Sequence, residues 1–398
     1  MVRLQFHLIF CAALLWAAAA VAQELPTAKP EDVGLSSAKL AKIKPAMQKF
    51  VDDRKVAGVI IMVARHGKVV YFETVGLREI AANKPMERDT ICRFYSMTKP
   101  ITSVAIMMLV ERGKVRLDDS ITKFIPEFKD LKVFVKQHGD KLVVEDLERD
   151  ITIRDLLRHT SGFTYGLFGN SAVDKMYFER GILDPEAKLT ELIKKLSKIP
   201  LVSQPGAAFN YSVSADVLGR VIEIVSQQSL DQFFSAEIFR SLDMKDTAFA
   251  VPADKLHRFA NNYTSNAGGR LNVIDAAATS RFARPATFLS GGGGLMSTAR
   301  DYMRFLQMLL NKGELNGKRL LKPETIEMMT TNQLPKEAYP IQIVVRRPGV
   351  GFGFGFSVIA EKIPFAPYVP AGEYGWGGYA STHFWVDPKQ DLAVIVLT

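Results

Sequence analysis

Ser96 and Lys99 stand three positions apart at the head of "SMTKPITSVAIMMLV", and the chemistry this sequence can do begins with them. At i and i+3 of a helix, two side chains share one face and can touch. A serine hydroxyl becomes a useful nucleophile only when a base removes its proton. A lysine in water, with a reference pKa of roughly 10.4, cannot serve near neutral pH. Holding a lysine largely neutral there takes a shift of roughly three to four units, about 4–5 kcal/mol, which burial against apolar groups can supply. The run from Ile101 to Val110 provides those groups. Pro100 lacks an N–H and is tolerated only near a first turn, so the helix cannot begin far before Ser96. That puts the serine among free backbone N–H groups at the positive end of the helix, where an oxyanion would be favoured.

The spacing alone is not diagnostic. Ser-x-x-Lys also occurs at Ser36/Lys39, which caps an amphipathic surface helix, and at Ser120/Lys123, in a loop after Asp118-Asp119. An N-cap serine beside a solvated lysine is the simpler reading of any one of them. Two further stretches single out Ser96. "PGAAFNYSVSADVLG" sets Tyr211 after a Pro-Gly turn and just before a helix, and a tyrosine beside such a lysine would titrate with it as a pair. "YGWGGYASTHFWVDP" surrounds Trp376 with Gly375, Gly377 and Gly378 at the start of a strand, where glycine permits close approach of a ligand or another backbone.

The elements that must position these groups follow from periodicity. Ser36–Val51 has helical spacing with an expected kink at Pro45; "AGVIIMVA" and "KVVYFETVG" read as strands joined by a tight turn at "RHG". A second small hairpin is expected to turn at His138-Gly139-Asp140, and residues 185–284 read mostly as helices. The chain returns to strands in "FGFGFSVIA", "ASTHFWVDP" and "DLAVIVLT". Strands at both ends and helices between predict an α/β fold, with a mostly antiparallel sheet built from both termini, flanked by helices, and an inserted, mainly helical domain. The boundaries are residues 23–90 with 285–398 for the sheet domain and 91–284 for the helical one, with the active site at their seam.

Composition bounds the rest. With 47% hydrophobic and 23% charged residues the chain is an ordinary globular sequence. Arg3, the apolar stretch from Leu4 to Ala20 and the small-residue site Ala20-Val21-Ala22 read as a secretory signal peptide over residues 1–22, rather than an uncleaved anchor. This predicts a periplasmic or secreted bacterial protein with no stable membrane anchor after cleavage. Cys92 is then the one remaining cysteine, so no internal disulfide is expected. The net charge of +9 comes from scattered Lys and Arg, which argues against nucleic acid as a partner. Metal hydrolysis finds no His-x-x-x-His pair or Cys-x-x-Cys, and no cofactor is implied. A Ser-His-Asp hydrolase finds no Gly-x-Ser-x-Gly; His159 more simply braces the loop at Thr160-Ser161-Gly162, and His383 lies on a strand face.

Ser96-Met97-Thr98-Lys99, Tyr211-Ser212-Val213 and Trp376-Gly377-Gly378, in that order and spacing, resemble the motifs of family VIII carboxylesterases, serine esterases similar to class C β-lactamases and serine D-alanyl-D-alanine peptidases. The likeness runs from about residue 30 to the end and takes in "RDLLRHTSGFTYG" and "SGGGGLMSTARDYMRF". It implies Ser96 as nucleophile, Lys99 and Tyr211 as the basic pair, and an oxyanion hole from the N–H groups of Ser96 and Tyr379. Trp376, Gly377 and Gly378 would contact substrate, with Phe163, Tyr165, Phe168 and Tyr379 as candidate walls. The Lys-Thr-Gly of β-lactamases is replaced by Trp376-Gly377-Gly378 and the asparagine of Tyr-x-Asn by Val213, so neutral or apolar esters of short acyl chain should fit better than β-lactams. Family members usually continue into a helix over the sheet, so the stop at Thr398 implies either a truncation or an exposed face. The alternatives are a β-lactamase or D-alanyl-D-alanine peptidase, or a non-catalytic penicillin-recognising or assembly-forming relative.

Overall fold

The computed structural model describes residues 24–398 apart from positions 140, 267 and 365, so the expected signal peptide lies outside the described residues, as does Asp140 of the expected turn. The chain's longest strands form a hairpin near its N-terminal end. Strands β1 (Gly58–Arg65) and β2 (Lys68–Glu79) pair antiparallel across a two-residue turn at His66-Gly67, both with positive φ. Strand β3 (Lys84–Pro85) extends that edge. The chain's end supplies β4 (Val350–Phe352), β5 (Ser357–Ile359), β6 (Tyr374–Gly377), β7 (His383–Asp387) and β8 (Leu392–Leu397). They form one sheet in the order β4-β5-β6-β7-β8-β1-β2-β3, antiparallel throughout, closed across the termini by pairs such as Met62 with Ile395.

β1 reads as an unbroken hydrophobic run because both its faces are covered. Ile60, Met62 and Ala64 join the main core, while Ile61 and Val63 meet Leu35, Ile43 and Trp385 on the other side. The N-terminal helical stretch is two helices, Ser37–Leu40 and Ile43–Asp52. Pro45 falls in the first turn of the second, where a missing N–H is harmless, so the chain breaks before the proline rather than kinking at it.

Helix α1 (Thr98–Glu111) is buried from Thr98 through Leu109 and runs through the molecule's centre. Helix α2 (Ser214–Ser226) packs beside it, and α3 (Ala299–Leu310) lies on the sheet against β8 and β1. One buried apolar cluster draws residues from Leu25 to Leu397, with contributions from both expected segments, so the sheet and the helical part share a core. Between 185 and 284 the chain is less helical than its pattern suggests: Asn262–Ser265 and Leu271–Asp275 form a hairpin. Its strands are short and largely exposed, so no buried apolar alternation announced them.

Candidate active site

Ser96 sits in a tight turn, Tyr95–Met97, that leads directly into α1. Tyr95 is held at φ 43°, a conformation a bulky residue adopts only when its surroundings insist. The surroundings are the rings of Phe282 at 6.2 Å and Tyr379 at 5.9 Å, and an Asn262 amide that donates to the Tyr95 hydroxyl at 3.4 Å. The strained turn presents Ser96, half-buried, where two clefts meet.

Lys99 is 1% exposed. Its Nζ lies 3.1 Å from Ser96 Oγ, 2.9 Å from Tyr165 Oη and 2.6 Å from the Gly292 carbonyl oxygen. This geometry serves both forms of the amine. An ammonium donates to all three oxygens; a neutral amine gives its two hydrogens to Gly292 and Tyr165 and turns its lone pair on the serine hydroxyl. The Gly292 carbonyl is there because the glycine-rich loop is fastened to α1: Thr102 Oγ1 donates to Gly291 O at 2.7 Å, and the Leu295 N–H donates to Thr98 Oγ1 at 3.1 Å.

Tyr211 approaches Lys99 differently from the way the motif suggests. Nζ lies 4.7 Å from the centroid of its ring, and its hydroxyl accepts from Trp376 Nε1 at 3.3 Å. Among the described residues no hydrogen bond joins that hydroxyl to Ser96 or Lys99. The phenol bonded to the lysine is Tyr165, which the sequence placed only in a cleft wall. Burial, reinforced by Asp216 and Tyr211, pushes the Tyr165 phenol well above its usual range, so it remains protonated. His159 braces Tyr211 from behind, ring to ring at 5.0 Å, and its Nδ1 receives the Ser212 N–H at 3.3 Å. Burial and the nearby Lys99 hold His159 well below the usual histidine range, leaving it neutral.

The end of β6 completes the rim. A Cβ on Gly378 would stand 2.4 Å from the Phe94 carbonyl oxygen, so only glycine lets this strand lie against the segment carrying Ser96. The N–H groups of Ser96 and Tyr379 donate to no other group among the described residues. One cleft, about 420 Å³, is lined by Trp376, Gly377, Gly378 and Tyr379 together with Arg347, Glu373 and His383. Arg347 brings a cation to the cleft in which Trp376 stands, from a segment with no recognisable motif. Burial and then Asp387 raise the Glu373 carboxyl to about 7. The other cleft, about 230 Å³, is mainly apolar, with Tyr165, Leu167, Phe168 and Phe288 among its walls. Phe163 lines neither; it is buried in the core with its ring 5.4 Å from that of Phe128.

An antiparallel sheet flanked by helices, with a serine one turn from a buried lysine at its margin, defines the serine hydrolases and acyltransferases of the beta-lactamase type. The beta-lactamase family model matches residues 43–398, and the chain belongs to that family. It is similar to esterase EstB of Burkholderia gladioli, 30% identical over 387 residues and 93% of each chain. Among solved structures it is similar to EstCE1, a hydrolase with promiscuous acyltransferase activity, at 27% identity and TM-score 0.78, covering 91% of this chain and 93% of that one. It is also similar to the simvastatin synthase LovD of Aspergillus terreus, at 26% identity and TM-score 0.78 with the same coverage. No helix among the described residues is long and apolar enough to cross a membrane.

Proposed function

We propose that the protein is a serine carboxylesterase that forms an acyl-enzyme on Ser96. The observation that carries this is the buried Lys99 amine, which has two acceptors besides Ser96 Oγ and can therefore turn a lone pair on the hydroxyl. Ser96 Oγ attacks the ester carbonyl as its proton passes to Lys99. The carbonyl π electrons move to oxygen, where the N–H groups of Ser96 and Tyr379 receive the charge. The carbon–oxygen bond to the alcohol breaks and the alcohol leaves with the proton from Lys99. Tyr211, face-on to Lys99 and anchored by Trp376, walls the path to the leaving oxygen. Water then attacks the acyl group by the same route in reverse. The aromatic cleft suits a short acyl chain, and the larger cleft the alcohol. Export, argued from residues 1–22, accompanies this reading.

A second reading, transfer of the acyl group to an acceptor alcohol, is favoured by the two clefts converging on one serine and by the acyl-transferring relatives. Short-chain nitrophenyl esters, with and without an added alcohol, separate the two. Ser96→Ala should abolish both activities, by 10³-fold or more on the order expected for an essential nucleophile. Retained turnover would place the nucleophile elsewhere.

A further inference from the structure

We propose that Asp216, acting with Tyr165, is a positioning residue that keeps a negative charge behind Lys99 and so favours uptake of the serine proton; this rests on the roles given above to Ser96 and Lys99. Asp216 is fully buried in the first turn of α2. Its Oδ1 accepts from Ser290 Oγ at 2.5 Å and from the Gly292 N–H at 3.0 Å. Its Oδ2 has no hydrogen-bond partner among the described residues. Gly292 thus gives its N–H to Asp216 and its carbonyl to Lys99, and one residue ties the carboxylate to the amine.

The free oxygen faces the site. A Cβ on Gly292 would stand 2.6 Å from Asp216 Oδ2 and 2.7 Å from Tyr165 Oη, so the two oxygens flank the same point and only glycine leaves it open. Tyr165 in turn accepts from Lys99. A buried carboxylate oxygen with no protein partner is costly as structure, and a helix could keep its first turn with an asparagine. Its value lies in the cation that forms beside it. When the Ser96 O–H breaks and a Lys99 N–H forms, the new ammonium meets a carboxylate held across Gly292 and a phenol oxygen already bonded to it. Asp216 takes up no proton, and Lys99 releases the one it holds to the leaving alcohol.

Among the described residues the ionisable groups around this point are Lys99 from α1, Asp216 from α2, Tyr165 and His159 from the loop after Leu157, and Tyr211 from the segment before α2. Burial raises the Asp216 carboxyl above the usual carboxylate range, opposed by Ser290, Lys99 and Gly292. His159 is neutral and Tyr165 protonated, so Asp216 is the group whose charge opposes that of Lys99.

The test is kcat/KM for p-nitrophenyl acetate against pH, on the full chain, for wild type, Asp216→Asn, Tyr165→Phe and Ser96→Ala. Losing the carboxylate disfavours the ammonium, so the free base persists to lower pH. The acid limb of Asp216→Asn should move down by about one pH unit while its plateau falls roughly tenfold. Tyr165→Phe, which loses the phenol oxygen, should move the limb the same way by less. Measured per folded molecule, the position of a limb reports the titrating groups alone, so a lower plateau with the limb unmoved means a structural role and overturns the inference. Should Asp216→Asn fail to fold, an unmoved limb in Tyr165→Phe does the same. Turnover retained by Ser96→Ala would instead overturn the reading of the nucleophile.

Discussion

Two buried carboxylates lie in this molecule under opposite rules. Asp155 is fully buried at the start of a short helix, and both its oxygens are satisfied: Arg149 at 2.6 and 3.0 Å, Arg158 at 3.1 Å, Thr152 at 2.8 Å and Thr160 at 2.9 Å. Burial works to raise its carboxyl, but the Arg149 and Thr152 hydrogen bonds outweigh it and hold it at about 2. Asp216 is equally buried, but among the described residues it has no arginine partner and one oxygen without a hydrogen bond, and it is raised instead. Asp155 joins its helix to the loop behind the site. Asp216 stands across Gly292 from the buried lysine that touches the serine. A carboxylate kept for structure is saturated with donors; one kept for chemistry retains something to offer a charge that arrives later.

The contrast can be broken most forcefully at Lys99. Lys99→Met should reduce kcat/KM per folded molecule by roughly 10³-fold or more, and leaving the buried Asp216 carboxylate without its cation should cost a few kcal/mol of stability besides, on the order of 3. Severe destabilisation with activity intact per folded molecule would make Lys99 a structural residue. Asp155→Ala should cost stability alone. Leaving Arg149 and Arg158 without their partner should cost roughly 3–5 kcal/mol, read from urea unfolding, with the pH profile of the surviving enzyme unchanged. The pH dependence has a definite sign. The folded carboxyl of Asp155 lies below its unfolded value near 4, so its contribution of about 2 kcal/mol is complete above pH 4 and is lost as pH falls toward 2. The variant's unfolding curve should lack that acid loss. The smallest effects come from removing one donor from each acid. Thr160→Val should cost about 1 kcal/mol of stability and leave turnover alone, whereas Ser290→Ala should lower kcat/KM roughly fivefold with little change in stability. Equal behaviour of the two would erase the distinction.

Much of this was legible in the sequence, for reasons tied to particular residues. The Ser96/Lys99 pair showed itself because a short spacing coincided with an apolar run that had to be buried. The sheet showed itself because "GVIIMVA" and the strands near the C-terminus are continuous hydrophobic stretches. Where an element's burial is not written in its own period, reading failed: the Asn262–Asp275 hairpin has exposed strands, and the N-terminal helix divides ahead of Pro45. At the site, Tyr165 lies 66 positions from Lys99 on a loop, and nothing in its spacing indicates which of Phe163 and Tyr165 turns inward to the core. Asp216 in the first turn of a helix looks like an ordinary complement to the helix dipole. Only the fold of the glycine-rich loop around Gly292 reveals that it faces a lysine. Arg347 and Glu373 carried no pattern, and their place in the larger cleft is a tertiary fact.

The central claim is that an amine stripped of water activates Ser96 for covalent acyl transfer. The most direct measurement is to mix the enzyme with a slowly deacylating nitrophenyl ester, quench in acid during the first turnover, and locate the added mass by peptide fragmentation. One acyl group on Ser96, absent from Ser96→Ala and slow to form in Lys99→Met, is the predicted result. An acyl group on any other side chain, or a product burst with no covalent adduct, would contradict the account.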